Sequence, residues 1–187
     1  PLQALKQTDY PGFRREFNKY KYIGFSYVYL GYNLKHHIFR DRRVRQALTH
    51  AINRQEIIDG ILLGQGVEAT GPYKPDMWAY NGNVKRYEYS KEKAVALLKD
   101  AGFEKQQNGV LFKDGKPFEF TILVNQGNDV RIRTAELIQK RLHEVGIGVK
   151  IRVIEWATFV NEFIDKRNFE AVILGWSTGP EPDLFDI

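Results

Sequence analysis

The 187-residue chain contains no cysteine, one methionine (Met77) and no apolar run near the ~20 residues that a membrane-spanning helix needs. The missing cysteines remove disulfides, thiol nucleophiles and Cys-ligated zinc or iron–sulfur sites together. Histidine is scarce too. His36, His37, His50 and His143 include no i,i+4 pair beside a carboxylate, the spacing by which one helix face holds a catalytic zinc. A phosphate-binding loop is also missing. Gly64, Gly66 and Gly71 follow a helix-like stretch instead of a strand, and no Lys-Ser/Thr pair comes after them. Ser177 lacks the Gly-x-Ser-x-Gly frame of a hydrolase nucleophile.

What is present is ordinary globular material. Hydrophobic residues make up 43% and charged residues 27%, enough for one core or two small ones. Lys and Arg number 28 against 23 Asp and Glu, and the net charge of +5 admits an acidic partner without requiring one. The chain opens on Pro1 without a Met and stops at Ile187 just after a strand-like run, so it is expected to be part of a longer polypeptide. A signal peptide or lipid anchor would then lie outside it.

Residues 22–33 are aromatic and β-branched, a strand signal. Asp41 precedes Val44, Leu48, Ala51 and Ile52 at helical spacing and is placed to cap that helix. Asn53 with Glu56 marks a second, short helix running to Gly64. From Gly64 to Asn83 glycines and prolines predict a long irregular loop, with Trp78 and Tyr80 as its expected anchors. Ser90 to Gly102 reads as a capped amphipathic helix, and Asn108-Gly109 with Asp114-Gly115 brackets a small hairpin. Thereafter the order is regular: strand 118–125, helix 129–145, strand 148–154, helix 156–166, strand 169–175. This β-α-β-α-β unit predicts an α/β fold with the three strands parallel in one sheet.

In open α/β sheets ligands gather beyond the carboxyl ends of the strands. Those ends carry Asn125, Gln126 and Asn128, whose amides donate and accept, Trp176 as a flat apolar wall, and Ser177 and Thr178 as hydroxyls. Asn128 serves equally as a helix cap and Trp176 equally as core. Two other chemistries have the residue types they need. Arg40, Arg42, Arg43 and Arg45 beside the aromatic strand have the residue types of a nucleic-acid module, although Asp41 interrupts them and a solvated helix face accounts for them. Glu181, Asp183 and Asp186 have the residue types of a glycosidase pair but stand beside prolines and read as loop.

The same segments resemble a known family, the extracellular solute-binding proteins of peptide ABC transporters, the dipeptide and oligopeptide group called family 5. The resemblance rests on Tyr32-Asn33, on Phe39-Arg40-Asp41-Arg42-Arg43-Val44-Arg45-Gln46-Ala47-Leu48, and on Ala51-Ile52-Asn53-Arg54-Gln55-Glu56-Ile57-Ile58. It continues through Trp78 with Asn81, the Ala94–Gly102 helix, Ala135-Glu136-Leu137-Ile138-Gln139, Gly146-Ile147, Glu155-Trp156, and Gly175-Trp176 followed by Glu181-Pro182-Asp183. The resemblance implies that residues 1–187 are one lobe, the C-terminal one, of a two-lobed periplasmic-binding-protein-like fold truncated at both ends. It implies no catalysis and no cofactor. The implied partners are a peptide, oligopeptides foremost, the N-terminal lobe of the same parent chain and an ABC permease, with no nucleic acid. The implied location is extracytoplasmic, in the periplasm or lipid-anchored at the cell surface. Peptide-binding members commonly place an Asp shortly after the Gly-Trp pair to hold the α-ammonium, whereas Trp176 here is followed by Ser177, Thr178, Gly179 and Pro180. Asp183 takes that role only if the loop bends differently, so a longer peptide, an oligosaccharide or a nickel chelate stays open.

Overall fold

The computed structural model describes residue 20 and residues 22–181. Two stretches, Ile122-Leu123-Val124 and Ala171-Val172-Ile173, are apolar without alternation, the pattern of strands covered on both faces. They lie in β5 (Glu119–Asn125) and β7 (Ala171–Ser177), inner strands of a four-stranded sheet that β6 (Gly148–Ile154) and β1 (Ser26–Tyr32) complete. The spatial order is β1-β7-β5-β6, with β7, β5 and β6 parallel and β1 antiparallel to β7. The expected parallel unit is present, closed on one side by the aromatic strand.

Because side chains alternate across a strand, the sheet serves two cores. Phe120, Ile122, Val124, Ala171 and Ile173 face the larger one, shared with Ala135, Ile138 and Leu142 of α5 (Asp129–Glu144). Leu48 of α2 (Arg42–Ala51) and Leu98 of α4 (Lys91–Asp100) join it. Leu123 and Val172 face the opposite way, onto Phe159 of α6, which starts at Trp156–Thr158 and continues as a wider π turn through Phe159–Ile164. Full burial of each large apolar side chain contributes about 1.5–3 kcal/mol. Phe39, in the short α1 (His37–Arg40), lies edge-on to Phe120 at 5.2 Å and tilted against Tyr32 at 4.8 Å between ring centres. The helices after β5 and β6 thus cover opposite faces of the sheet.

The caps follow the sequence. Asp41 Oδ1 accepts from Arg43 N (2.8 Å), Asn53 Oδ1 from Glu56 N (3.2 Å) at the start of α3 (Arg54–Gly60), and Ser90 Oγ from Lys93 N (3.1 Å). Glu56 does not reach back to Asn53. Its carboxylate takes the Arg141 guanidinium of α5 instead, and this holds it below the usual carboxylate range. Arg141 also meets Glu144 at 2.7 Å, and Glu144 pairs with Lys91, so three helices share one ion network.

Four expectations shift. The bracketed hairpin is a three-stranded sheet of β2 (Glu104–Lys105), β3 (Leu111–Lys113) and β4 (Lys116–Pro117), since both Gly-containing turns reverse the chain. β7 begins and ends two residues late. Asn33 takes the carbonyls of Arg167 (3.0 Å) and Phe169 (2.8 Å) through its side chain and that of Glu170 (2.9 Å) through its backbone, delaying the strand, while pairing with β1 runs on to Ser177. The expected helix over 156–166 is the α-to-π segment just described. In the long loop Trp78 stands in solvent, 81% exposed, although Tyr80 does meet the Thr70 hydroxyl. Arg54 fastens the loop instead, donating to Glu68 (2.6 Å), to the Thr49 carbonyl (3.3 Å) and to the Tyr87 carbonyl, while Ser90 N donates to the His50 carbonyl (2.9 Å). Gly146, which ends α5, has φ +88°, and a Cβ there would lie 2.6 Å from the Gly109 carbonyl, so the turn before β3 can pack only on a glycine.

Candidate functional site

At the carboxyl edge β5, β6 and β7 release their chains at Asn125, Ile154 and Ser177. Gln126 N donates to the Ile154 carbonyl (2.7 Å), which holds the exits of β5 and β6 together and leaves the Gln126 side chain exposed. Asn128 Oδ1 caps α5 by accepting from Arg131 N at 3.1 Å. Glu155 caps α6 through Ala157 N (2.9 Å) and Thr158 N (3.0 Å), bonds that lower its carboxyl pKa.

On β7, Trp176 is half-buried and pairs across from Tyr27, and Ser177 is exposed and pairs across from Ser26. Thr178 reaches the Phe25 carbonyl twice, through N (2.8 Å) and Oγ1 (3.0 Å). Asp183 and Asp186 lie outside the described residues, while Glu181 is exposed. By strand alternation Asn125 and Trp176 share the α6 face with Tyr27 and Tyr29, whose rings stand 5.9 Å apart. Trp156, half exposed at the start of α6, stacks on Phe159 at 6.0 Å.

The two groups of residues singled out from sequence meet through one that sequence reasoning missed. Arg131 Nη1 donates to the buried Asn125 Oδ1 (2.7 Å), and Arg131 Nη2 lies 2.7 Å from where a Cβ on Gly175 would be. The guanidinium thus bridges the end of β5 and the far part of β7, and glycine at 175 makes the room. Burial lowers the Arg131 pKa, and it raises that of Tyr29, which the nearby guanidinium pulls back down in part. A signal was available. Arg131 sits in the first turn of a helix, where the positive end of the macrodipole disfavours a cation.

Past Val172, β7 has a partner on one side only. The β5–β7 ladder holds Ile122↔Ala171 and Leu123↔Val172, whereas the β1–β7 ladder continues to Ser177. Residues 173–177 therefore present a strand edge with no strand paired to it among the described residues, beside Arg131 and the aromatic face. Those residues include no group of three or more His, Cys, Asp or Glu able to hold a metal, and no helix long and apolar enough to cross a membrane.

An α/β lobe with its polar and aromatic groups gathered at one sheet edge is the form taken by each half of the two-lobed periplasmic binding proteins, and solved structures of that class superpose on this chain. The AppA oligopeptide-binding protein of Bacillus subtilis in complex with a nonapeptide matches with TM-score 0.81 and 41% identity over 87% of this chain and 33% of that one. NikZ of Campylobacter jejuni in complex with Ni(L-His) matches with TM-score 0.77 and 29% identity over 85% and 31%. The chain belongs to the bacterial extracellular solute-binding proteins, family 5, whose middle-region model matches residues 2–186. It is 40% identical to oligopeptide-binding protein AppA of B. subtilis strain 168, covering 96% of this chain and 34% of that protein. It is 35% identical to the dipeptide-binding protein of Escherichia coli K12, covering 91% and 31%. The chain thus spans about a third of the length of these relatives.

Proposed function

We propose that this chain is the C-terminal lobe of an extracytoplasmic receptor that captures peptides, oligopeptides foremost, and delivers them to an ABC permease without breaking a bond. The observation that carries this reading is the free edge of residues 173–177. An extended peptide adds to such an edge through main-chain hydrogen bonds, and pockets beside it sort alternate side chains. Trp176, Tyr27 and Tyr29 supply apolar walls there, and Gln126 and Ser177 supply exposed polar groups. The names of the AppA and E. coli relatives support the same ligand class. In this reading an N-terminal lobe of the same parent chain supplies the other half of the cleft. Closure is then favoured because only the closed form makes both sets of contacts. A lipid anchor, where the protein has one, lies outside these residues.

Three of the four arginines of the rival nucleic-acid reading are engaged within the fold, and Arg42 alone points to solvent without such a tie to a carbonyl or carboxylate among the described residues. Arg43 is spent on Asp41 (2.7 Å) and the Asp100 carbonyl (2.5 Å), Arg45 on the carbonyls of Phe39 (2.5 Å) and Arg40 (2.9 Å), and Arg40 on that of Lys35 (3.1 Å). Native mass spectrometry of the full-length protein, purified without unfolding, tests the reading. A ladder of bound peptide masses is expected. A sugar or metal-chelate mass would keep the capture mechanism and move the substrate, and nucleic acid with no small ligand would overturn it.

A further inference from the structure

Trp78 is the most exposed tryptophan among the described residues, at 81% against 52% for Trp156, and the loop that carries it is held in place. Met77 N donates to the Lys74 carbonyl (3.0 Å) and Tyr80 N to that of Met77 (3.0 Å), which closes the chain into turns on either side of the indole. Thr70 Oγ1 meets the Tyr80 hydroxyl at 3.4 Å. Lys74, its side chain mostly buried, donates to Asp76 (3.1 Å) and lies 4.3 Å over the Phe25 ring. The indole is therefore displayed by a fastened turn. It also has apolar company, because Tyr22, Ile23 and Phe25, on the segment that Lys74 touches, are exposed as well. Exposed apolar side chains grouped in this way mark a surface that a partner covers. Phe25 is also where the sheet is entered and left. Its carbonyl takes Thr178 N (2.8 Å) and Thr178 Oγ1 (3.0 Å), which joins the chain leading into β1 to the chain leaving β7.

We infer that Trp78, with Tyr22, Ile23 and Phe25, is the seat on which the N-terminal lobe of the same parent chain rests, beside the two strands that cross between the lobes. This rests on the two-lobed reading above. The chain spans 34% and 31% of two relatives, so the larger part of such a polypeptide lies outside it. Because β1 is entered and β7 left at one place, that part is tethered next to Trp78. A tethered partner is present at high effective concentration, so a contact of a few side chains suffices. A peptide is the poorer occupant. Phe25 stands on the β1 side of β7, whereas an added strand would pair on the other side, and β7 lies between them. Charge does not carry the contact either, since Asp76 and the Phe25 ring already hold Lys74. The facing surface is then apolar, with an acceptor for the indole N–H. Close to a hinge the lobes move little, so the contact persists in open and closed forms and acts as their pivot.

The test is photo-cross-linking in the full-length protein with p-benzoylphenylalanine in place of Trp78, the products mapped by mass spectrometry after digestion. Val95, exposed on α4, carries the control probe. Position 78 should link, within one molecule, to residues outside 1–187, with and without added peptide, and position 95 should not. Links from position 78 to a second molecule, to a bound peptide or only to residues within 1–187 would overturn the inference, as would no link at all or an equal yield from position 95. Should the probe variant fail to fold, fluorine NMR of the wild-type sequence labelled with 5-fluorotryptophan decides. The resonance missing from Trp78→Phe should be shielded from a soluble relaxation agent, and broadening equal to that of free 5-fluorotryptophan would overturn the inference. The two readings fail separately. The expected link without a ladder of peptide masses would sink the peptide reading alone, and a ladder without the link would sink the Trp78 contact alone.

Discussion

The two ends of the sheet are built from similar residues and finished in opposite ways. At the amino ends of β5 and β7 most of the polar groups find partners within the chain, His36 Nδ1 being the exception. Glu170 accepts from the Thr121 backbone (2.6 Å) and meets His36 Nε2 (3.2 Å), while Asn33 ties down the segment leading into β7. At the carboxyl ends a strand edge, an arginine and an exposed glutamine have few partners or none among the described residues. Saturated polar groups hold a fold together. Groups left short of partners near the surface mark where the fold expects company.

The contrast is broken most forcefully at Phe39, fully buried beside the closed end. Phe39→Ala in the full-length protein should lower stability by about 3–5 kcal/mol, read from the urea midpoint, because the space between Tyr32 and Phe120 has no side chain ready to fill it. A loss under about 1 kcal/mol would mean that the closed end is not where the lobe is held.

A smaller effect should separate the ends by pH. His36 Nδ1 is buried without a hydrogen-bond partner among the described residues, and burial, opposed by Glu170 and aided by His37, lowers the imidazole pKa from its ordinary 6.5. Between the lowered folded value and 6.5 the unfolded chain holds a proton that the folded one does not, so stability rises with pH there. It is complete above about 6.5 and declines as pH falls through that value toward the folded one. The urea midpoint should drop on acidification in this window and flatten in His36→Gln. An identical slope in both proteins would remove His36 as the cause.

The smallest stability change belongs to the open end. Gly175→Ala gains about 0.5–1 kcal/mol from the backbone, and its Cβ meets the movable tip of Arg131 together with the Tyr27 carbonyl at 3.3 Å. Melting should shift by no more than a few degrees while peptide affinity falls as the guanidinium is displaced. A large melting drop with affinity kept would place Gly175 in the scaffold and not in the site.

Elements whose cause is local were legible in the sequence: the caps at Asp41, Asn53 and Ser90, the apolar runs of β5 and β7, the glycine after α5. The limits of β7 were not, because they are set by Asn33 and by β1, distant in sequence. Asn125, Gln126, Trp176 and Ser177 were recognised as chemistry at strand ends. The guanidinium of Arg131 beside Asn125 and Gly175 left only a faint mark in the sequence, a cation in the first turn of a helix.

The Arg54 fastening gives the long loop a particular mechanical character. With Glu68 and Tyr87 gripped by one guanidinium and Ser90 bound to His50, the excursion is a noose tied at its neck, its tip near Trp78 anchored independently of its length. Lengthening such a noose adds closure entropy only logarithmically, about 0.6 kcal/mol per doubling. The loop can therefore lose or gain residues at little entropic cost, and Lys74, 4.3 Å over the Phe25 ring, keeps one point of it beside the open edge.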